Sequence, residues 1–201
     1  MNLPKHTQHA RSILKHVKNL GLSGPILERL GTFSVLWGQF EAMLEPLLWA
    51  LKKESVEGVH PSTDRKPVGD LIKALEGPWP DLSVKAQAVL QKTANTATDL
   101  GEYRNALFHG WMMPSGEITS FVSNAAFFGE LRKRSSNRAY IDENLLDMAI
   151  SSAWVLCGTT GLALSADFSN ELEKREGEAS RARGMASELR YLREAVNHEK
   201  Y

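Results

Sequence analysis

Arg104, Asn105 and His109 fall within Tyr103-Arg104-Asn105-Ala106-Leu107-Phe108-His109-Gly110, where a guanidinium, an amide and an imidazole meet at what reads as the end of a helix. These are the groups that metal-independent cleavage of a phosphodiester needs: an imidazole to move a proton, a guanidinium to steady charge on phosphoryl oxygens, and an amide to orient either. Spacing alone does not single the segment out, because Arg11 with His16 and Arg193 with His198 repeat the same interval. In those two cases the arginine is followed by Ser12 and Glu194, and both pairs lie near chain ends. His60 precedes Pro61 in a loop, and no histidine–carboxylate spacing suggests a metal site.

The helix that must position the three groups is predicted from Leu82 to about His109. It follows the break Gly77-Pro78-Trp79-Pro80, has Asp81 as a candidate cap, and stops at Gly110. At about 100° per residue, Ala86, Leu90, Thr93, Ala97, Leu100, Arg104 and Leu107 share one stripe, so Arg104 starts from the core-facing side. Asn95, Thr98, Glu102, Asn105 and His109 run along the opposite, polar face. The offset of about 140° between Arg104 and His109 requires Arg104 to reach around the helix, or a partner chain to supply one of the two. Arg104 also has an architectural reading, as the partner of Glu41, a carboxylate set among Trp37, Phe40, Leu44 and Leu48. Asn105 and His109 have one too, as a solvated face and a helix end.

The remaining elements read as mainly helical. Helices are predicted from about Lys5 to Leu20, from Ser23-Gly24-Pro25 onward through the apolar face Phe33, Trp37, Phe40, Leu44, Leu47, Leu48 and Leu51 with a kink at Pro46, and over Val68 to Leu75. Glu54 to Arg65 reads as a loop. After the motif, Trp111-Met112-Met113 and Ile118 to Val122 flank Pro114-Ser115-Gly116, which predicts a short β-hairpin. Gly129 to Tyr140 reads as a polar loop whose Arg132, Lys133, Arg134 and Arg138 could track an RNA backbone or simply be solvated. Asp142 or Asn144 caps a long small-residue helix, and a mixed-charge helix from about Glu178 to His198 could pair with a partner helix through Met185, Leu189 and Leu192.

The chain has 201 residues, 42% hydrophobic and 24% charged, with no net formal charge, which describes one ordinary globular domain rather than a globally basic nucleic-acid binder. The expected domain core is about 25–170, with the first and last helices as extensions. A lone cysteine, Cys157, excludes an internal disulfide and a cysteine-based zinc site and fits a reduced, cytoplasmic setting. Met1 to Gly21 lacks the apolar centre of a secretory signal. Met148 to Ala166 carries no charge over nearly the length of a membrane span, but its serines, threonines and glycines dilute it and Asp147 and Asp167 bracket it. A buried helix is the expectation, with no membrane partner. There is no Gly-x-Ser-x-Gly elbow, no phosphate-binding glycine loop and no partner histidine for Cys157.

Tyr-Arg-Asn-Ala-Leu-Phe-His-Gly, preceded by Leu36-Trp37-Gly38-Gln39-Phe40-Glu41-Ala42-Met43-Leu44, resembles the HEPN superfamily (higher eukaryotes and prokaryotes nucleotide-binding), in particular its compact stand-alone bacterial members. The likeness extends over Phe33 to about Phe168, and Arg104, Asn105 and His109 match the family signature position by position. It implies a HEPN-like helical bundle and a cofactor-free endoribonuclease in which two protomers face their motifs across a composite groove. His109 would then be general acid or base in attack of a ribose 2′-hydroxyl, Arg104 would stabilise the phosphoryl oxygens, and Asn105 would orient the imidazole or the phosphate. Glu41 and Glu102 would be supporting residues. The products would be a 2′,3′-cyclic phosphate and a 5′-hydroxyl, with DNA excluded. Two functional expectations follow: an RNA-cleaving toxin or defence effector, restrained by an antitoxin or regulatory protein, or a non-catalytic dimeric module that binds a protein or nucleotide.

Overall fold

The computed structural model describes residues 4–113, 119–123, 137–165 and 167–198. Among them are α1 (Lys5–Asn19), α2 (Gly24–Lys52), α3 (Val68–Ala74), α4 (Val84–His109), β1 (Trp111–Met113), β2 (Thr119–Ser123), β3 (Asn137–Ile141), α5 (Glu143–Thr160), a 3₁₀ turn (Gly161–Leu164), α6 (Phe168–Lys174) and α7 (Glu176–His198). The fold is mainly α, as the periodicity predicts, with a small antiparallel sheet ordered β1-β2-β3.

Local chemistry starts the long helices. Ser23 Oγ accepts from the backbone of Ile26 at 3.4 Å with Pro25 in the first turn, and Asp142 Oδ1 accepts from Leu145 at 2.7 Å. The cap of α4 differs from expectation. Ser83 Oγ accepts from Ala86 at 3.1 Å, while Asp81 pairs with Lys53 at 2.9 Å. Ser83 sits immediately before the first helical residue, where a short hydroxyl reaches the free N–H groups, and Asp81 is two residues too early.

Four helices form the body. Arg29 near the start of α2 binds Glu143 and Asp147 near the start of α5, and Cys157 Sγ reaches the Leu36 carbonyl farther along, so α2 and α5 run in parallel. Lys92 meets Ser180 and Asp99 meets Arg183 and Arg190, which sets α4 parallel to α7. Phe33, Phe40, Leu44, Leu90, Leu100, Leu146 and Leu156 are fully buried between them. Burial of side chains of this size contributes about 1.5–3 kcal/mol each, before conformational entropy is counted.

One expectation about a peripheral helix is changed by this packing. The mixed-charge segment is not a free extension: α7 turns Ala179, Ala182, Ala186 and Leu189 into the body, against α4 and α5. Short alanines let the helix approach closely, a face that charge alternation along the chain conceals. The small-residue helix α5 is a buried helix, as expected, with Ala149, Ser152, Ala153 and Cys157 inside the fold. Glu143–Leu164 is the one stretch among the described residues long and apolar enough to cross a membrane, and half of its most apolar window is buried inside the fold. By contrast α1 buries none of its residues.

The expected hairpin forms, Trp111 pairing with Val122 and Met113 with Ser120. Its turn, Pro114-Ser115-Gly116, lies outside the described residues. A third strand was not expected. Asn137–Ile141, read as the end of a polar loop, pairs with β2 through Phe121 opposite Ala139, and burial of Ala139 and Ile141 completes an alternating pattern. The basic residues on its N-terminal side mask that alternation in the sequence.

Candidate active site at the end of the motif helix

The aromatic cluster of α2 holds α4 in place. Phe33 stacks on Phe108 at 6.3 Å and tilts against Tyr103 at the same separation, while Trp37 leans on Phe40 at 5.3 Å. The Trp37 indole lies over Gly101, where an added Cβ would come within 3.1 Å of it. Tyr103 anchors the same turn to the sheet, its hydroxyl donating to the Tyr140 carbonyl at 2.7 Å. Burial pushes the Tyr103 phenol well above its ordinary pKa, helped by the charge of Asp142.

Gly110 ends α4 in an extended conformation, φ −86° and ψ 160°, rather than the left-handed turn usual for a terminal glycine. The requirement is steric. A Cβ there would run into the Ala106 carbonyl oxygen and lie 3.1 Å from the Val122 backbone. The direction that Gly110 leaves empty points into the fold, so its neighbours His109 and Trp111, alternating with it, face outward; both are exposed.

On that outer surface the three expected residues come together within one chain. Arg104 Nη1 donates to Asn105 Oδ1 at 3.1 Å and contacts His109 Nε2 at 3.2 Å. A guanidinium only donates, so in this contact Nε2 is the acceptor and the ring proton is on Nδ1. The Arg104 carbon stem turns across the helix, and its guanidinium lies over the Phe108 ring, 5.7 Å from the centroid. The rotational offset is thus bridged by side-chain length, and no second chain is needed to bring Arg104 to His109.

The proposed Arg104–Glu41 pair is a different matter. Glu41 Oε1 accepts from Trp37 Nε1 at 2.5 Å, while Arg104 makes the contacts just described. Stripe geometry placed Arg104 toward the core by its Cα, but four rotatable bonds let the charged end leave for solvent. Glu41 therefore satisfies a buried indole N–H and acts on the site only through the aromatic cluster. Glu102 occupies the same helical face as Asn105 and His109, half-buried.

Of the basic cluster, Arg138 belongs to β3, with Nη1 donating to the Tyr140 hydroxyl at 3.1 Å and its guanidinium 5.7 Å from that ring. Arg132, Lys133 and Arg134 lie outside the described residues. Among the described residues no group of three or more His, Cys, Asp or Glu side chains is placed to hold a metal ion. Comparison with protein-family models, curated proteins and solved structures finds no match. Function therefore rests on the geometry.

Sequence reasoning passed over two residues here, Phe108 and Trp111. Phe108 is 40% exposed and Trp111 64% exposed, on either side of His109-Gly110. The signal was present as two large apolar side chains straddling a helix end, but α4's stripe gives no way to tell which of them points outward.

Proposed function

We propose that this chain is a metal-independent endoribonuclease acting in the cytoplasm as a toxin or defence effector. The observation that carries the reading is the exposed contact of Arg104 Nη1 with both Asn105 and His109 Nε2. His109 Nε2, once its contact with Arg104 Nη1 gives way to the bound RNA, takes the proton from a ribose 2′-hydroxyl as that oxygen attacks the adjacent phosphorus. The P–O5′ bond breaks, leaving a 2′,3′-cyclic phosphate. The 5′-oxygen leaves as a hydroxyl after protonation by a second imidazolium, supplied by His109 of another copy in a homodimer. Among the described residues the two hydrogen-bond contacts use Nη1 alone, which leaves Nε–H and Nη2 of Arg104 to bind the phosphoryl oxygens as charge accumulates on them. Asn105 fixes the guanidinium from the other side.

His109→Ala tests this directly. Cleavage of single-stranded RNA in EDTA is expected to fall by at least about 100-fold, the usual worth of a positioned acid or base, with the melting temperature unchanged. His109 is exposed, so its loss removes chemistry and little packing. Equal cleavage by both proteins, or by neither across varied RNAs, replaces the nuclease with a non-catalytic dimer that binds a protein or nucleotide. Light scattering at micromolar concentration tests the homodimer, and a strict monomer removes the second imidazole from the mechanism.

A further inference from the structure

Trp111 is out of character for its position. It sits on the edge strand β1, one extended residue beyond His109, and exposes 64% of its surface although a side chain of this size normally buries most of its area. Two residues before it is the imidazole of His109, which contacts the guanidinium of Arg104, itself bonded to the amide of Asn105. Phe108, the other aromatic at the site, is already occupied, with Phe33 stacked against it and Arg104 over its ring. Among the described residues at this helix end, that leaves the Trp111 indole as the open aromatic surface, two residues from the imidazole that contacts Arg104.

An open ring two residues from an imidazole that contacts a guanidinium matches one nucleotide of a single strand, an aromatic base joined through its sugar to an anionic phosphate. Resting on the nuclease reading for the role of Arg104 and His109, we infer that Trp111 is a stacking subsite for the nucleobase next to the phosphate they hold. The Cα atoms of His109 and Trp111 lie within about 7 Å of one another across Gly110, so a base and its own phosphate can meet both residues at once. Stacking reads the face of a base rather than its edge. The subsite therefore selects unpaired strands over duplex, where both faces are covered, and tolerates all four bases. Trp111 is a positioning residue: it holds the strand in register and takes no part in bond making.

The test uses an octamer of thymidylate and an abasic octamer of the same phosphate backbone, neither of which can be cleaved because both lack the 2′-hydroxyl. The thymidylate octamer is expected to quench tryptophan fluorescence and to bind about 5- to 150-fold more tightly than the abasic one, the range for one stacked base. Trp111→Ala should remove that difference, and Trp111→Phe should restore part of it. Trp154→Ala is the matched control, since Trp154 is 66% exposed on α5, and it should change nothing. With RNA, Trp111→Ala should raise KM by the same factor and leave kcat and the pH profile alone. The inference is overturned if wild-type protein binds both octamers alike, if Trp111→Ala keeps the difference, or if the variant changes oligomeric state while octamer binding stays as it was. The two readings can fail separately. Base-dependent binding through Trp111 without RNA cleavage removes the nuclease and keeps the subsite. RNA cleavage indifferent to Trp111→Ala removes the subsite and keeps the nuclease.

Discussion

Adding one methyl group is expected to have opposite consequences at Gly110 and at Gly38. At Gly110 the backbone angles, φ −86° and ψ 160°, suit any residue, so Gly110→Ala carries no conformational penalty of its own. The cost is contact. The new Cβ overlaps the Ala106 carbonyl oxygen and lies 3.1 Å from both the nitrogen and the carbonyl carbon of Val122. All three are backbone atoms, held by the last turn of α4 and by β2, so no rotamer change relieves them. The last turn and the strand must separate by on the order of 1 Å before repulsion fades. Overpacking of this kind costs about 1–3 kcal/mol, and backbone on both sides places this case near 3. For a chain of this size, each kcal/mol moves the melting temperature by about 2–4 °C, so Gly110→Ala should melt about 6–12 °C lower. At Gly38, within α2, a Cβ would meet nothing within 4 Å, and alanine should stabilise the helix by about 0.5–1 kcal/mol. Thermal melts followed by circular dichroism on both variants decide the matter. Equal melting temperatures for Gly110→Ala and the parent would refute the steric account of the helix end, and with it the argument that His109 and Trp111 are turned outward together.

Further expectations concern the supports of the site. Because burial raises the Tyr103 phenol above the ordinary value of 10.0, its contribution to stability is complete below that pH and is lost as pH rises past it, where only the unfolded chain ionises. Tyr103→Phe should therefore flatten the alkaline loss of stability by up to about 1.4 kcal/mol per pH unit, and cost about 1–2 kcal/mol at neutral pH through the hydrogen bond to Tyr140; urea titrations at several pH values with identical alkaline slopes would contradict this. Asp99, only 5% exposed, accepts from Arg183 and Arg190. Asp99→Ala should cost about 1–3 kcal/mol in urea unfolding, less than a sealed ion pair would, since both arginines keep access to water. No measurable loss would mean that α7 is held to α4 by its alanine and leucine face alone.

Much of the frame was readable along the chain. Ser23 and Asp142 announce their helices because a cap bonds a residue three positions on, and such a contact is written in adjacent sequence. The hairpin around Pro114-Ser115-Gly116 was legible for the same reason, as two apolar runs flanking turn-forming residues. β3 was not, because a strand of five residues is recognised by what it pairs with, and its partner β2 lies across a basic segment. The buried face of α7 escaped because alanines at close packing look, in composition, like the filler of a solvated helix.

The site divides along the same line. The chain alone determined that a guanidinium, an amide and an imidazole occur on the last turns of one helix, and that a glycine stops it, since residue order and helical pitch suffice for that. Only the folded structure decided where the guanidinium goes. Arg104 begins on the core side, yet Phe108 stacked on Phe33 offers a ring to lie across, and Glu41 is engaged by Trp37, so the charged end passes to His109 instead. A flexible three-carbon stem ends wherever neighbouring side chains leave it a partner and water, and the side chains that settle this, Phe33, Trp37 and Glu41, come from a helix more than fifty residues away in sequence.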